Sequence, residues 1–162
     1  MTGFRDGPQR LTASVNAFCG MIENLPARAF LEKPWGPRQV LAHLVFWHET
    51  YVRQIEAGLA GKGWLFPEGT LKELNAKAVA SLSGVGVPTM LARFRAANSR
   101  LCRLAADPKS AGAHVQLKRD TKSWPLSEFI LEVGAHVRRH GDEIRRTHPS
   151  RQLPPLRQDT HH

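Results

Sequence analysis

The stretch LEVGAHVRRH, residues 131–140, lies near the C-terminal end and has the helical spacing that recurs along the chain. His136 and His140 are four residues apart, which places them one above the other on a helix with 3.6 residues per turn. Steps of three and four extend this stripe in both directions and collect Phe129, Val133, His136, His140 and Ile144. Both imidazoles therefore occupy positions that an amphipathic helix normally buries.

The same hydrophobic spacing recurs along the rest of the chain, and proline or glycine borders most of the segments that carry it. The predicted helices cover residues 8–24, a segment from Pro37 to the glycines at 58 and 61, a short segment from Thr70 to Ser83, a segment from Pro88 to Asp107, and residues 125–147. Thr70 and Glu73 have the spacing of a capping box. Residues 107–124 are polar and irregular, with room for a turn of helix. No strand is predicted, since no sustained period-two alternation occurs.

These segments predict an all-α fold with a single domain over residues 1–149. Four long helices, one extra short helix and a long crossover connection suggest an antiparallel four-helix bundle. With 162 residues, 41% of them hydrophobic, the chain is long enough to bury one substantial core. Residues 150–162 are rich in proline and are predicted to form a disordered tail.

Charge and cysteine content narrow the class of protein. Lys and Arg number 23 against 14 acidic residues, a formal net charge of +9, yet no basic block of five or six residues occurs. A solvated basic surface is therefore favoured over a dedicated nucleic-acid site. Two cysteines without a CxxC motif exclude a disulfide scaffold and favour a reducing compartment. With neither an apolar signal segment nor a membrane-spanning run, a cytoplasmic location without a membrane partner is predicted.

The helical histidine pair is a candidate metal site. Neutral imidazoles suit Zn, Ni or Fe(II), and a pair on one helix can bring two nitrogens to one ion. His43, within the strongly helical segment VLAHL at residues 40–44, is the candidate third ligand. Three protein ligands would leave a position open, as in catalytic rather than structural sites. The alternative is that His43, His136 and His140 are core residues satisfied by hydrogen bonds.

Three other histidines are interpreted as packing or solvent-exposed residues rather than as ligands. His48 lies five residues beyond His43, roughly 140° around the helix, so the two cannot face the same ion. We interpret His48 as a packing residue bonded to a backbone or hydroxyl group. His114 and His148 fall in a loop and at a terminus and are predicted to be solvated.

Two carboxylates are predicted to form surface ion pairs. Glu132, one turn before the histidine pair, could orient an imidazole, but pairing with Arg138 or Arg139 is favoured. Glu49 is expected to pair with Arg53 at the i+4 position.

Four tryptophans are spread along the chain, and common enzyme motifs are absent from it. All four tryptophans, Trp35, Trp47, Trp64 and Trp124, are predicted to pack in the core and at the ends of the bundle. Trp64 and Trp124 lie in loops, and the alternative for these two is that they wall a pocket. The sequence contains no nucleophile elbow, phosphate loop or dinucleotide fingerprint.

The segment WGPRQVLAHL, residues 35–44, resembles the DinB/YfiT-like superfamily, whose second helix begins just after a tryptophan and carries a V-L-x-H-L core. The continuation through Trp47-His48, the glycines at 58 and 61, and KELN at residues 72–75 is more narrowly similar to the ClbS/DfsB branch, formerly a domain of unknown function. The similarity covers residues 7–149.

This resemblance implies a four-helix bundle, often dimeric, in which His43, His136 and His140 bind a divalent metal ion. The superfamily includes thiol-dependent transferases and isomerases. The ClbS branch is associated with hydrolytic opening of an electrophilic cyclopropane and with protection against a genotoxin. Members of that branch often lack the full set of three ligands, whereas this chain retains it, which favours a metal site over the cyclopropane chemistry.

We therefore expect a divalent-metal-dependent enzyme, a hydrolase or a thiol S-transferase, that acts on an electrophilic small molecule. The ion would lower the pKa of a water or thiol for attack on that substrate. Two alternatives stay open. One is a metal-independent, ClbS-like protein that binds and neutralises a toxin, with the basic charge favouring a place near DNA. The other is a binding bundle without catalysis.

Overall fold

Helices dominate the computed structural model, which describes residues 3–117 and 121–149, with side chains from residue 6 onward. The helices are α1 (Gly3–Glu23), α2 (Pro37–Leu59), α3 (Leu71–Ser81), α4 (Val87–Ala106) and α5 (Leu126–Thr147). The connections contain short 3-10 helical turns at Ala27–Leu31 and Pro108–Ser110 and two strands, β1 (His114–Gln116) and β2 (Ser123–Pro125). The prediction of a helical protein is confirmed, with a small sheet added.

The helix starts follow local chemistry that the sequence displays. Pro37 is the first residue of α2, and α4 begins at Val87, one residue before Pro88. The capping box at α3 is confirmed: the Glu73 backbone N–H donates to Thr70 Oγ1 at 3.2 Å, and the Thr70 N–H donates to Glu73 Oε2 at 2.8 Å. These contacts satisfy backbone donors that a helix end otherwise leaves unpaired.

Two predictions of local structure are wrong. Helix α1 begins at Gly3 rather than at residue 8, so Pro8 lies inside it. The prediction of no strand fails because β1 and β2 form an antiparallel pair in which Val115 lies opposite Trp124. Strands of three residues are too short to show a period-two pattern, so only the tertiary structure reveals them.

The helices pack around one continuous apolar core. Helix α1 contacts α4 and α5, and α2 contacts α4, α5 and α3. The predicted stripe of α1 is buried in this core, at Leu11, Val15, Phe18, Cys19 and Ile22. Phe18 meets Phe94 of α4 edge-on, with ring centroids 5.7 Å apart, a favoured aromatic geometry.

Helix α2 is buried along most of its length, and this position accounts for its polar residues. His43 and Trp47 both bond Asn75 of α3, whereas His48 bonds Asn98 of α4. The two histidines of α2 therefore bond side chains of different helices, α3 and α4, as their angular separation predicts.

Two further sequence predictions concern the chain ends and the membrane. The predicted tail, residues 150–162, lies outside the described residues. Among the described residues, no helix combines the length and the apolar character needed to cross a bilayer.

Candidate metal and ligand site

Three histidines from two helices converge on one point. His43 comes from the middle of α2, and His136 and His140 come from successive turns of α5. One ring nitrogen from each lies within 4.8 Å of those of the other two. The ring centroids are 5.5 Å apart for His43 and His136, 5.1 Å for His43 and His140, and 4.6 Å for His136 and His140. The structure thus brings together the three residues that the sequence proposed as ligands.

Asn75 determines which nitrogen of His43 faces the other imidazoles. Its Oδ1 lies 2.8 Å from Trp47 Nε1 and 3.1 Å from His43 Nδ1. An indole nitrogen can only donate, so the Asn75 atom must be the oxygen. His43 Nδ1 therefore carries the proton that it donates to Asn75, and the lone pair of the ring is on Nε2.

His43 Nε2 is buried and has no hydrogen-bond partner among the described residues. A buried acceptor without a partner costs free energy, on the order of 1–3 kcal/mol in mutational studies. The same ring contributes one nitrogen to the group that His136 and His140 complete, and Nε2 is the nitrogen that Asn75 leaves available. An electron-pair acceptor held between the three rings would remove this cost.

His140 has the same tautomer as His43, with the proton on Nδ1. Its Nδ1 lies 3.2 Å from Glu143 Oε2, which can only accept while the carboxylate is ionised, so His140 Nδ1 donates. His140 Nε2 then has a free lone pair and lies 2.9 Å from His136 Nε2. In the neutral state His136 Nε2 donates to it, and this single proton is what a metal ion would replace. Histidine ligands of metals commonly donate their outer N–H to an oxygen in this way.

The protonation state of the cluster suits metal binding. Burial, and then the neighbouring His140, lowers the pKa of both His43 and His136 from 6.5 to about 4. Burial also lowers the pKa of His140, against the opposing effect of Glu143. All three rings are therefore neutral near pH 7, the form in which imidazole binds a metal.

The histidines lie in a cavity of about 520 Å³, within the usual size range of small-molecule sites. Most of its wall is apolar, and much of it is aromatic: Trp35, Trp47, Tyr51, Trp124 and Phe129. Trp124 lines the cavity, so the structure agrees with the alternative given for this residue rather than with packing alone. Trp64 does not line this cavity; its ring packs against Gly58, where a Cβ would lie 2.6 Å from Trp64 Cη2.

The sequence did not reveal several residues of the site. Trp35 and Trp47, which were predicted to be packing residues, also line the cavity. Asn75 of α3 lines it too, although the sequence did not indicate it as a site residue. Asn75 lies on α3 one residue from the buried Leu74, a spacing that signals a polar group at the edge of a packed face. Only its contact with α2 shows that it orients His43.

His48 is a core residue, as predicted, but its partner differs from the one expected. Its Nδ1 lies 2.8 Å from Asn98 Oδ1, and Asn98 Nδ2 donates to the Phe94 carbonyl at 2.8 Å. The side chain is fully buried, and burial lowers its pKa to about 3. An amide of α4, rather than a backbone or hydroxyl group, satisfies one nitrogen of this ring.

The remaining histidines differ in exposure. His114 is exposed, as predicted. The prediction of a solvated His148 is wrong: its Nε2 lies 2.9 Å from Glu32 Oε2, and only 14% of its side chain is exposed. The end of α5 brings His148 next to a residue 116 positions away, which no local pattern could indicate.

One of the two predicted ion pairs is confirmed. Arg139 Nη2 donates to Glu132 Oε1 at 2.9 Å, as predicted, and both residues line the cavity. Glu49 does not pair with Arg53; it accepts from Arg93 of α4, at 2.6 Å from Nη2 to Oε1. A cross-helix arginine that reaches both carboxylate oxygens offers a better geometry than a neighbour on the same helix.

Comparison of the chain with protein-family models, with curated proteins and with solved structures finds no match in any of the three. The geometry of the site therefore carries the functional argument.

Replacing Asn75 with leucine should weaken zinc binding by about 10- to 100-fold, the usual effect of removing the group that orients a histidine ligand. Leucine keeps the volume but cannot accept from His43 Nδ1, so the ring loses its orientation. Zinc titration against a competing chelator measures the effect. Asn98→Leu is the matched control, because it removes the same kind of bond from His48 and should leave zinc affinity unchanged. Equal affinities in Asn75→Leu and the parent protein would contradict the assigned role.

Proposed function

We propose that the chain is a DinB-like metal-dependent enzyme in which His43, His136 and His140 hold one divalent ion. The four long helices would form the antiparallel bundle of that superfamily, with α3 and the β1–β2 pair in the longer connections. Contacts of α1 with α4 and α5, and of α2 with α4 and α5, support this arrangement.

The convergence of one ring nitrogen each from His43, His136 and His140, all within 4.8 Å of one another, carries the proposal, and the buried, unpartnered Nε2 of His43 supports it. A buried nitrogen without a partner also occurs in the core residue His48, at Nε2, so the convergence with two further imidazoles is what distinguishes His43. Here one nitrogen is fixed by Asn75, and the other belongs to a cluster with His136 and His140. Three neutral nitrogen donors of this kind suit Zn, Ni or Fe(II).

A divalent ion in this position supplies Lewis acidity, which lowers the pKa of a water or thiol beside it. The surrounding residues provide the setting for such chemistry. Asn75 and Glu143 hold two of the imidazoles in a fixed orientation. The aromatic wall makes the surroundings of the imidazoles less polar than bulk water, which would strengthen electrostatic interactions inside the cavity. We propose hydrolysis of, or thiol transfer to, an electrophilic small molecule as the reaction class.

Metal analysis of the purified protein tests the proposal. We expect about one equivalent of divalent metal per chain after incubation with Zn, Ni or Fe(II) and desalting. At a free metal concentration 100 times Kd, binding adds about 2.7 kcal/mol to the free energy of unfolding. For a chain of this length the melting temperature should rise by about 5–10 °C.

A protein without stoichiometric metal and without a thermal shift would contradict the proposal. The apolar cavity would then favour a metal-free binding protein, because its aromatic wall needs no ion to hold a ligand.

A further inference from the structure

We infer that the cavity binds a small molecule that combines a flat apolar body with one anionic donor group. This inference rests on the proposed function, because the anionic group is matched to an ion held by His43, His136 and His140. It goes further by defining the ligand that the rest of the cavity selects.

The aromatic residues of the cavity define the body of the ligand. Three tryptophans, one tyrosine and one phenylalanine contribute to a single wall of residues, at positions 35, 47, 124, 51 and 129. Flat rings interact favourably with such side chains by offset stacking and edge-to-face contact.

Trp35 marks the open side of this wall. It is 45% exposed although it is a large apolar residue, and its ring meets His43 edge-on with centroids 5.5 Å apart. An exposed indole next to a candidate metal site is a surface that a bound ring would cover. Trp124 is different, since Lys122 Nζ already lies 4.1 Å from its ring centroid.

The charges of the cavity define the donor group. The three imidazoles are neutral, so they do not offset the charge of a divalent ion. Glu132 is the acidic residue among those that line the cavity, and it is engaged by Arg139. Glu143, at 3.2 Å from His140 Nδ1, offsets part of the charge from outside the three rings. An ion in the site would still keep a net positive charge in largely apolar surroundings, where an anion is favoured. A carboxylate or thiolate supplied by the ligand meets this requirement.

Binding of naphthoate to the zinc-loaded protein, measured by calorimetry, tests the inference. Naphthamide has the same rings without the charge, and acetate has the charge without the rings. We expect naphthoate to bind at least about tenfold more tightly than either, since each missing interaction is worth about 1.4 kcal/mol or more. Equal affinities for naphthoate and naphthamide would overturn the anionic requirement, and equal affinities for naphthoate and acetate would overturn the aromatic one.

Trp35→Ala is expected to weaken naphthoate binding by about fivefold to tenfold, in line with the loss of one aromatic contact. Leu31→Ala, a truncation at a 79% exposed residue of the preceding turn, is the matched control and should have no effect. Zinc affinity should stay the same in both variants. If Trp35→Ala weakens zinc as much as naphthoate, the tryptophan only supports His43, and its role in ligand binding is overturned.

Failure of the proposed function gives a different result from failure of this inference. If zinc binds stoichiometrically but naphthoate, naphthamide and acetate all fail to bind, the metal site stands and the ligand class is wrong. If zinc itself does not bind, both fail.

Discussion

His43→Ala is expected to weaken zinc binding by about a hundredfold or more. Four-ligand zinc sites in small proteins are worth about 10–16 kcal/mol, so one ligand contributes roughly 3 kcal/mol. The other two imidazoles are on one helix, and without His43 the described residues offer them no third donor. A competition titration with a zinc chelator measures the loss.

His114→Ala provides the matched control for this substitution. That residue is exposed, lies on β1 and is not part of the cluster, so its removal should leave zinc affinity unchanged. The metal-free His43→Ala protein should keep its helical circular dichroism, because Trp47 still donates to Asn75. Unchanged zinc affinity in folded His43→Ala protein would contradict the role of His43 as a ligand.

Acid is expected to destabilise the metal-free protein through His48. Burial lowers its folded-state pKa from 6.5 to about 3, so the unfolded chain takes up a proton at a higher pH than the folded chain. Stability from this residue is therefore complete above pH 6.5 and is lost as the pH falls towards about 3. Because one pKa unit corresponds to 1.36 kcal/mol, the loss is roughly 3 kcal/mol at pH 4.

Urea unfolding at pH 7 and pH 4 measures this loss, and a variant separates it from other acid effects. His48→Gln cannot titrate, so its free energy of unfolding should fall less between the two pH values than that of the parent protein. His114→Gln, at an exposed position, should behave like the parent. An identical fall in His48→Gln and the parent would contradict the depressed pKa. His43 and His136 add to the acid sensitivity in the same direction, since burial lowers both pKa values to about 4.

The sequence predicts helices well here because their signals are local. Pro37, Pro88 and the Thr70–Glu73 capping box act within a few residues, and α2, α4 and α3 begin at or next to them. The hairpin was missed because strands of three residues leave no periodic pattern. Likewise, Glu49 pairs across helices with Arg93 rather than with its own neighbour, and such a choice depends on tertiary structure.

In the candidate site, too, the local features follow from the sequence, whereas the contacts between distant segments do not. The spacing of His136 and His140 places both on one helical face, and this follows from the sequence alone. Spacing does not link them to His43, about a hundred residues earlier; its place within a second strongly helical segment made it a candidate, and the family resemblance implied the same set. Asn75 and the cavity wall come from three helices, the β1–β2 pair and the loop before α2, so only the folded chain assembles them. The reaction itself remains a proposal for experiment.

X-ray absorption spectroscopy of the zinc-loaded protein tests the central claim most directly, because it counts the imidazoles bound to the ion. Three imidazole ligands per zinc are expected in the parent protein, and two in any His43→Ala protein that still holds zinc. A parent spectrum with fewer than three imidazoles, or one that His43→Ala leaves unchanged, would show that these histidines do not form the metal site.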